Sequence, residues 1–395
     1  MDYRFENSKP AKGLLIKTNF LASRKILRPL LSRLAFCLLA GVVTHSSTAL
    51  PLEKDNGPAL SQPLTIAWRY HTDRTTDLTP AADADTVFFP TSSGVLLALN
   101  AADGKLQWKA EIGGDFSAAL IADDRSVYAA TSYSEPEQNH THGTLRALSK
   151  STGLTLWMRT LPAPISGSLI ANNVSLFGGS VDGHVYAVSK QTGQVIWSNQ
   201  YAEAFSGHPA ISGNRIYFGS NAGTIRALDA RTGQLIWEYK TRGAIQGPVA
   251  VRDNLAFFGS GDGNVYAFDE IRSKVRWHRR TGASVQAVAL VENGVLASSL
   301  DNFVYLLSPN NGALVWRQQL PGRISSRPIT ATDGALFTPF STDTAIVLNL
   351  RNGKPANTLS LGEENSSAAA PISVNNLVLI TTPHALLAFG APSSK

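Results

Sequence analysis

Hydrophobic and polar positions alternate in short bursts along most of the chain, and the bursts come in sets of four. Residues 207–240 hold one set: "GHPAIS" (207–212), "GNRIYFGS" (213–220), "TIRALD" (224–229) and "QLIWEYK" (234–240). Apolar side chains at every second position over so few residues predict half-buried strands rather than helices. The breaks "NAG" and "ARTG" supply the residue types that tolerate the positive φ of tight turns. The same grammar recurs in "NNVSLFGGSVDGHVYAVS" (172–189) and "DNLAFFGSGDGNVYAFD" (253–269). Each set therefore reads as a four-stranded antiparallel sheet.

The repeat is metered by tryptophan. Trp68, Trp108, Trp157, Trp197, Trp237, Trp277 and Trp316 are 40, 49, 40, 40, 40 and 39 residues apart. Five of them follow a glycine by four residues, namely Gly104, Gly153, Gly193, Gly233 and Gly312. Ser273 replaces that glycine before Trp277. An eighth copy, "VLNLRNGKPANTLSL" (347–361), keeps Gly353 but has Asn357 in place of the tryptophan. A fixed period near forty with four strands per period predicts an all-β, eight-bladed β-propeller. On the outer strand of each blade the indole would fill the wedge that opens between neighbouring sheets.

The ends complete the count. "LTIAWRYHT" (64–72) is an outer strand without three inner ones, whereas residues 370–390 give three strands without a fourth. The N-terminal strand is expected to close the last blade and remove the exposed edges. The propeller then spans 64–390, with 50–63 a flexible linker and 391–395 a tail. The long interval between Trp108 and Trp157 is assigned to an insertion, "SYSEPEQNHTHG" (132–143), expected as a protruding loop.

Charge changes the picture only at the start. The formal net charge is +6, but the first 49 residues hold eight of the 35 basic and two of the 29 acidic side chains, so the remainder is neutral. A basic surface for nucleic acid is excluded. Residues 1–49 have the order of an export signal: a basic stretch to Arg33, the apolar run "LAFCLLAGVV" (34–43) and small residues up to Ala49, where cleavage is expected. Cys37 is the only cysteine. "LAFC" has the outline of a lipid-attachment site, although Phe36 is bulky and the apolar run continues past the cysteine. Without the leader the chain has no thiol chemistry or disulfide.

The phrase "GxVYAxDxxTGxxxW" resembles the quinoprotein-type propellers, whose PQQ-like repeat is named after pyrroloquinoline quinone, and the resemblance covers 64–390. Within that family some members are quinone-dependent dehydrogenases, while the BamB-like branch consists of scaffolds of the outer-membrane barrel-assembly machinery. Leader, length and uninterrupted repeats resemble the second branch. The resemblance implies a non-catalytic, periplasmic, protein-binding propeller associated with the outer membrane of a Gram-negative bacterium. Its expected partner is the periplasmic repeat domains of the barrel-assembly protein. The alternative is a periplasmic quinoprotein or small-ligand-binding propeller.

The residues favour the scaffold. An adjacent cysteine pair and long lid loops, usual in the quinone-binding branch, are missing from the sequence. Asp182, Asp229, Asp262 and Asp269 fall at turn positions, where carboxylates cap the backbone. No catalytic residue, cofactor or metal is therefore assigned. His140 and His142 stand two apart in the insertion, too few for a metal site, and His184, His208, His278 and His384 are scattered. The innermost strands are rich in small residues, as crowding around an axis requires; Gln246, Gln286 and Arg327 are expected to face a hydrated channel. For partner binding, "YKTRGAIQGP" (239–248) carries an Arg-Gly pair, Arg242 and Gly243, that matches the branch's docking loop by resemblance, with Tyr239 as an aromatic anchor. The next interblade loop, "TGASVQAVA" (281–289), lacks the acidic residues that the branch has there.

Overall fold

The computed structural model describes residues 59–73, 75–135 and 140–392. Eight antiparallel sheets succeed one another as blades, each with its first strand innermost. Blade 1 runs from Ala81–Ala82 through Thr86–Thr91 and Val95–Asn100 to Leu106–Glu111. Blades 2 to 7 end on the outer strands Thr155–Leu161, Val195–Gln200, Leu235–Lys240, Lys274–Arg280, Leu314–Gln319 and Pro355–Ser360. Blade 8 joins Ile372–Val374, Leu377–Thr381 and Ala385–Gly390 to Thr65–His71, in a register from Thr65 opposite Gly390 to His71 opposite Ala385. The N-terminal strand thus closes the last blade, as the sequence predicts. Ser92–Gly94, a single 3-10 turn, is the only helical element among the described residues.

The middle strands are covered on both faces and are buried throughout: Ser175–Ser180 and Ala385–Gly390 have no exposed position. The outer strands alternate. In Leu235–Lys240 only Trp237 is buried. Every outer strand meets its neighbour with a register shift at or next to the tryptophan position, as between Ala227 and Leu228 or Ala267 and Phe268. Such a bulge re-aims one side chain and raises the local twist.

Each indole then reaches the next blade. Trp68, Trp108, Trp157, Trp197, Trp277 and Trp316 donate Nε1–H to the carbonyls of Ala101, Lys150, Lys190, Ala230, Pro309 and Leu350, at 2.8–3.1 Å. Their rings cover the Asp-Gly, Thr-Gly or Asn-Gly turn that precedes the outer strand of the next blade. At Gly233, with φ +73°, an added Cβ would lie 2.7 Å from the Trp197 ring. The glycine four residues before one tryptophan therefore serves the tryptophan of the previous blade. Blade 5 departs from this: Ser273 takes φ 49°, and Trp237 donates to the buried Glu270 carboxylate at 3.2 Å.

The eighth junction, which lacks a tryptophan, corrects the expected linker. Residues 59–63 are fastened to the propeller. Asn357 Nδ2 donates to the carbonyls of Leu60 and Gln62, and Ser61 donates through N and Oγ to Asp333 Oδ2. Leu60 is fully buried with Leu336, Val347 and Leu387. An asparagine cannot fill the wedge, so a leucine from outside the repeat does. The leader with Cys37 and Ala49, the linker up to residue 58 and tail residues 393–395 lie outside the described residues.

The insertion also differs from expectation. It extends a hairpin: Ser126–Glu135 and His140–Ser149 stay paired from Ser126 opposite Ser149 to Glu135 opposite His140. Backbone pairing propagates outward although the side chains there are polar. Around the axis, Gly167 and Gly247 sit where an added Cβ would come 2.0–2.2 Å from the backbone of the next blade. Pro80, Pro209, Pro248, Pro328 and Pro371 precede inner strands by one or two residues. Without an N–H they blunt edges that would otherwise invite pairing. In blade 2, where no proline stands, Ala118–Ala119 does pair with Gly167 and Ser168 of blade 3.

Candidate functional site

With the innermost strand first, every interblade loop emerges on the same side as the turn between the second and third strands. This loop face carries the 241–249 segment, the hairpin and one mouth of the channel.

The 241–249 segment is held by its main chain. Thr241 Oγ1 donates to the carbonyls of Gly223 (2.9 Å) and Gly243 (2.8 Å), and Ser260 Oγ donates to Thr241 Oγ1 at 3.0 Å. The Arg242 N–H donates to Asp262 Oδ2 at 3.2 Å. Asp262 also accepts from the Tyr266 hydroxyl (2.7 Å) and from Asn264 N (3.0 Å). Burial would raise the Asp262 pKa, but these donors outweigh it and hold the carboxyl below its usual range. One blade on, Thr281, Ser299, Gly282 and Asp301 repeat the arrangement, with Gly282 N–H to Asp301 Oδ2 at 2.7 Å. Thr241 and Thr281, 40 residues apart, and Ser260 and Ser299, 39 apart, are the sequence signal of this latch.

The three candidate contact residues are placed differently. Arg242 is exposed, and its guanidinium has no hydrogen-bond or ion-pair partner among the described residues. A fixed backbone thus presents a solvated cation. Gly243 lies against the neighbouring turn, where a Cβ would be 2.2 Å from Asp262 N. Its smallness is required by the fold itself. Tyr239 is half-buried, with its ring centroid 5.6 Å from Phe268 and 5.9 Å from Tyr266. It is committed to the seam between blades 4 and 5.

The hairpin rises beside the loop after blade 1. Tyr133 OH donates to the Ile112 carbonyl at 2.8 Å and accepts from Arg146 at 3.0 Å. His142 stacks on Tyr133 at 5.4 Å. Among the described residues, no three His, Cys, Asp or Glu side chains converge to hold a metal ion. Asp182, Asp229, Asp262 and Asp269 accept backbone N–H groups within their own turns.

The channel is a chain of two cavities of about 320 and 880 Å3, and Arg327 lines both. Gln286 also lines the smaller one, whereas Gln246 contributes its carbonyl to the His208 N–H. A quinone with calcium needs several carboxylate and amide oxygens around the ion. The smaller cavity brings in Asp77 alone among carboxylates, so these residues do not fit that pair.

Among solved structures, BamB from Moraxella catarrhalis superposes with a TM-score of 0.71 at 17% identity, covering 83% of this chain and 100% of that one. The computationally designed Ika8 protein gives 0.72 at 15% identity, covering 82% of this chain and 99% of that chain. Quinohemoprotein alcohol dehydrogenase from Comamonas testosteroni gives 0.69 at 12% identity, covering 84% and 77%. Identities this low show the shared fold alone. No curated protein matches the chain. Residues 59–180 and 181–299, together more than half of the sequence, match the family described as outer membrane protein assembly factor BamB, and the chain belongs to that family.

Proposed function

We propose that this chain is a non-catalytic scaffold that assists the assembly of outer-membrane β-barrel proteins from the periplasmic side. The observation that carries the reading is the family match over 59–299. The proposed docking element is the loop 239–248. Arg242 is its contact residue, and Gly243 and Tyr239 set the loop's shape. The latch through Thr241 and Asp262 supports this choice, because a pre-ordered backbone loses little entropy on binding. The proposed partner is the barrel-assembly protein, through its periplasmic repeat domains, and the leader would deliver the chain to the periplasm.

The test is a mild-detergent pull-down of tagged full-length protein from its own envelope, with Arg242→Glu alongside. Because the Arg242 side chain bonds to nothing in the fold, the variant is expected to melt with the wild type. Recovery of the barrel-assembly protein by wild type and its loss in the variant supports both function and site. Recovery by both discards the site, and recovery by neither discards the function. The second reading, a quinoprotein, has only the fold shared with the Comamonas testosteroni dehydrogenase behind it. It requires a visible absorbance band when the chain is mixed with the quinone and calcium.

A further inference from the structure

The loop-face end of the channel contains side chains that the scaffold reading does not use. One residue before the inner-strand proline, blades 1 and 8 have Thr79 and Ala370, but blade 4 has His208 and blade 7 has Arg327. In blade 5 the position in register with His208 is Pro248 itself. Two large ionisable groups thus stand where these other blades have Thr, Ala or Pro. Both line the cavity of about 320 Å3, together with Pro80, Leu169, Pro209 and Pro248. That volume is at the lower end of small-molecule pockets, which run from about 300 to 1,000 Å3.

The polar groups of this cavity are incompletely satisfied. The Arg327 side chain is open to the channel, and its guanidinium has no hydrogen-bond or ion-pair partner among the described residues. Ser325 lines the same wall, and its Oγ is buried without a partner. The His208 Nδ1 lies 3.0 Å from Ser168 Oγ, and no described residue pairs with its other ring nitrogen. A guanidinium with no carboxylate paired to it, facing a channel with low-dielectric walls, attracts an anion.

We propose that this end of the channel binds a small molecule carrying one carboxylate and a compact apolar body, with Arg327 as its counter-ion. A planar guanidinium matches a carboxylate through two parallel hydrogen bonds. The prolines and Leu169 cover the apolar part. Asp77 is the only carboxylate among the described residues that line the cavity, and it disfavours a second negative charge. A multiply charged acid is therefore a poor match for the single cation.

The test is calorimetric titration of the full chain at neutral pH with acetate, hexanoate and benzoate, each against its neutral amide, and with inorganic phosphate. At least one carboxylate is expected to bind about tenfold tighter than its amide, and Arg327→Gln to weaken it by about tenfold or more. Arg327→Gln should melt with the wild type, since the side chain makes no bond in the fold. If it does not, Arg327→Lys serves in its place and is expected to weaken binding severalfold. The proposal is overturned if no carboxylate in the panel binds, if acid and amide bind alike, if binding survives these substitutions, or if phosphate binds as tightly as the best carboxylate.

Discussion

Two glycines of blade 4 isolate the contact that joins the blades. Gly213 and Gly233 both have positive φ, +57° and +73°. An added Cβ at Gly213 would meet nothing within 4 Å, whereas at Gly233 it would lie 2.7 Å from Trp197 Cδ2 and Cε3. Gly213→Ala should therefore cost only the left-handed backbone penalty, about 1–2 kcal/mol. Gly233→Ala adds overpacking against a ring that is itself pinned by its hydrogen bond to Ala230. That addition is about 1–3 kcal/mol, for a total of about 2–5. Equilibrium denaturation in guanidinium chloride gives both values, provided the slope m is unchanged.

A double-mutant cycle sharpens the comparison. Trp197→Ala alone should cost about 3–5 kcal/mol. In its background Gly233→Ala should fall to the cost of Gly213→Ala, leaving a coupling of about 1–3 kcal/mol. Equal costs for the two glycines, or strict additivity in the cycle, would refute the claim that this glycine is a seat for the preceding blade's indole.

Three further outcomes can be checked on the same chain. Ser273→Gly should stabilise by about 1 kcal/mol, because Ser273 holds a left-handed φ of 49° where the other blades have glycine; a loss of stability would show that its side chain is needed. Asn357→Ala removes both bonds to the 60–62 segment and should expose the chain near Leu60 to protease at a denaturant concentration where wild type resists. In acid, burial alone would raise the Glu203 pKa, but hydrogen bonds from Thr224, Arg226 and Lys240 and the charge of Arg226 bring it down to about 2. Its contribution is complete above the ordinary value of 4.5 and disappears as pH falls toward 2, a loss on the order of 3 kcal/mol that Glu203→Gln should abolish. His208 has the same sign by another route. Burial and the charge of Arg327 lower it from 6.5 to about 4, so the folded chain takes up its proton later and stability falls from pH 6.5 down to 4. Its ring resonances should titrate near pH 4 in NMR, and higher in Arg327→Gln.

The repeat made the strands, the blade number and the closing strand legible, since a period-two pattern within a period of forty leaves little freedom. What escaped was any contact one period away. Gly233 is adjacent in sequence to Trp237 but in space to Trp197, and no local pattern tells these apart. The hairpin was illegible because polar residues 132–143 carry no alternation, while the ladder they continue is a backbone property. Residues 59–63 gave no signal either, because Leu60 belongs to a core through the absence of a tryptophan at Asn357. Of the proposed docking loop, only the exposure of Arg242 was legible. That Gly243 and Tyr239 serve the fold depended on how blades 4 and 5 meet.

Eight near-copies of one blade cannot by themselves define a binding site, because each copy offers the same surface. Specificity must come from departures from the repeat, and these divide by face. On the Thr-Gly turn side, the departures are consumed internally. Asn357 is spent on Leu60 and Gln62, and Glu270 on Tyr217, Trp237 and Arg215. On the loop face, departures keep bonding capacity to spare: the Arg242 guanidinium at the rim, and Arg327 with Ser325 in the channel. The latches between blades hold these groups on a stiff frame. The proposed recognition therefore falls on the loop face. Charge-reversing substitutions at Arg242 and Arg327 should change binding without changing stability, whereas substitutions at Asn357 or Glu270 on the opposite face should do the reverse.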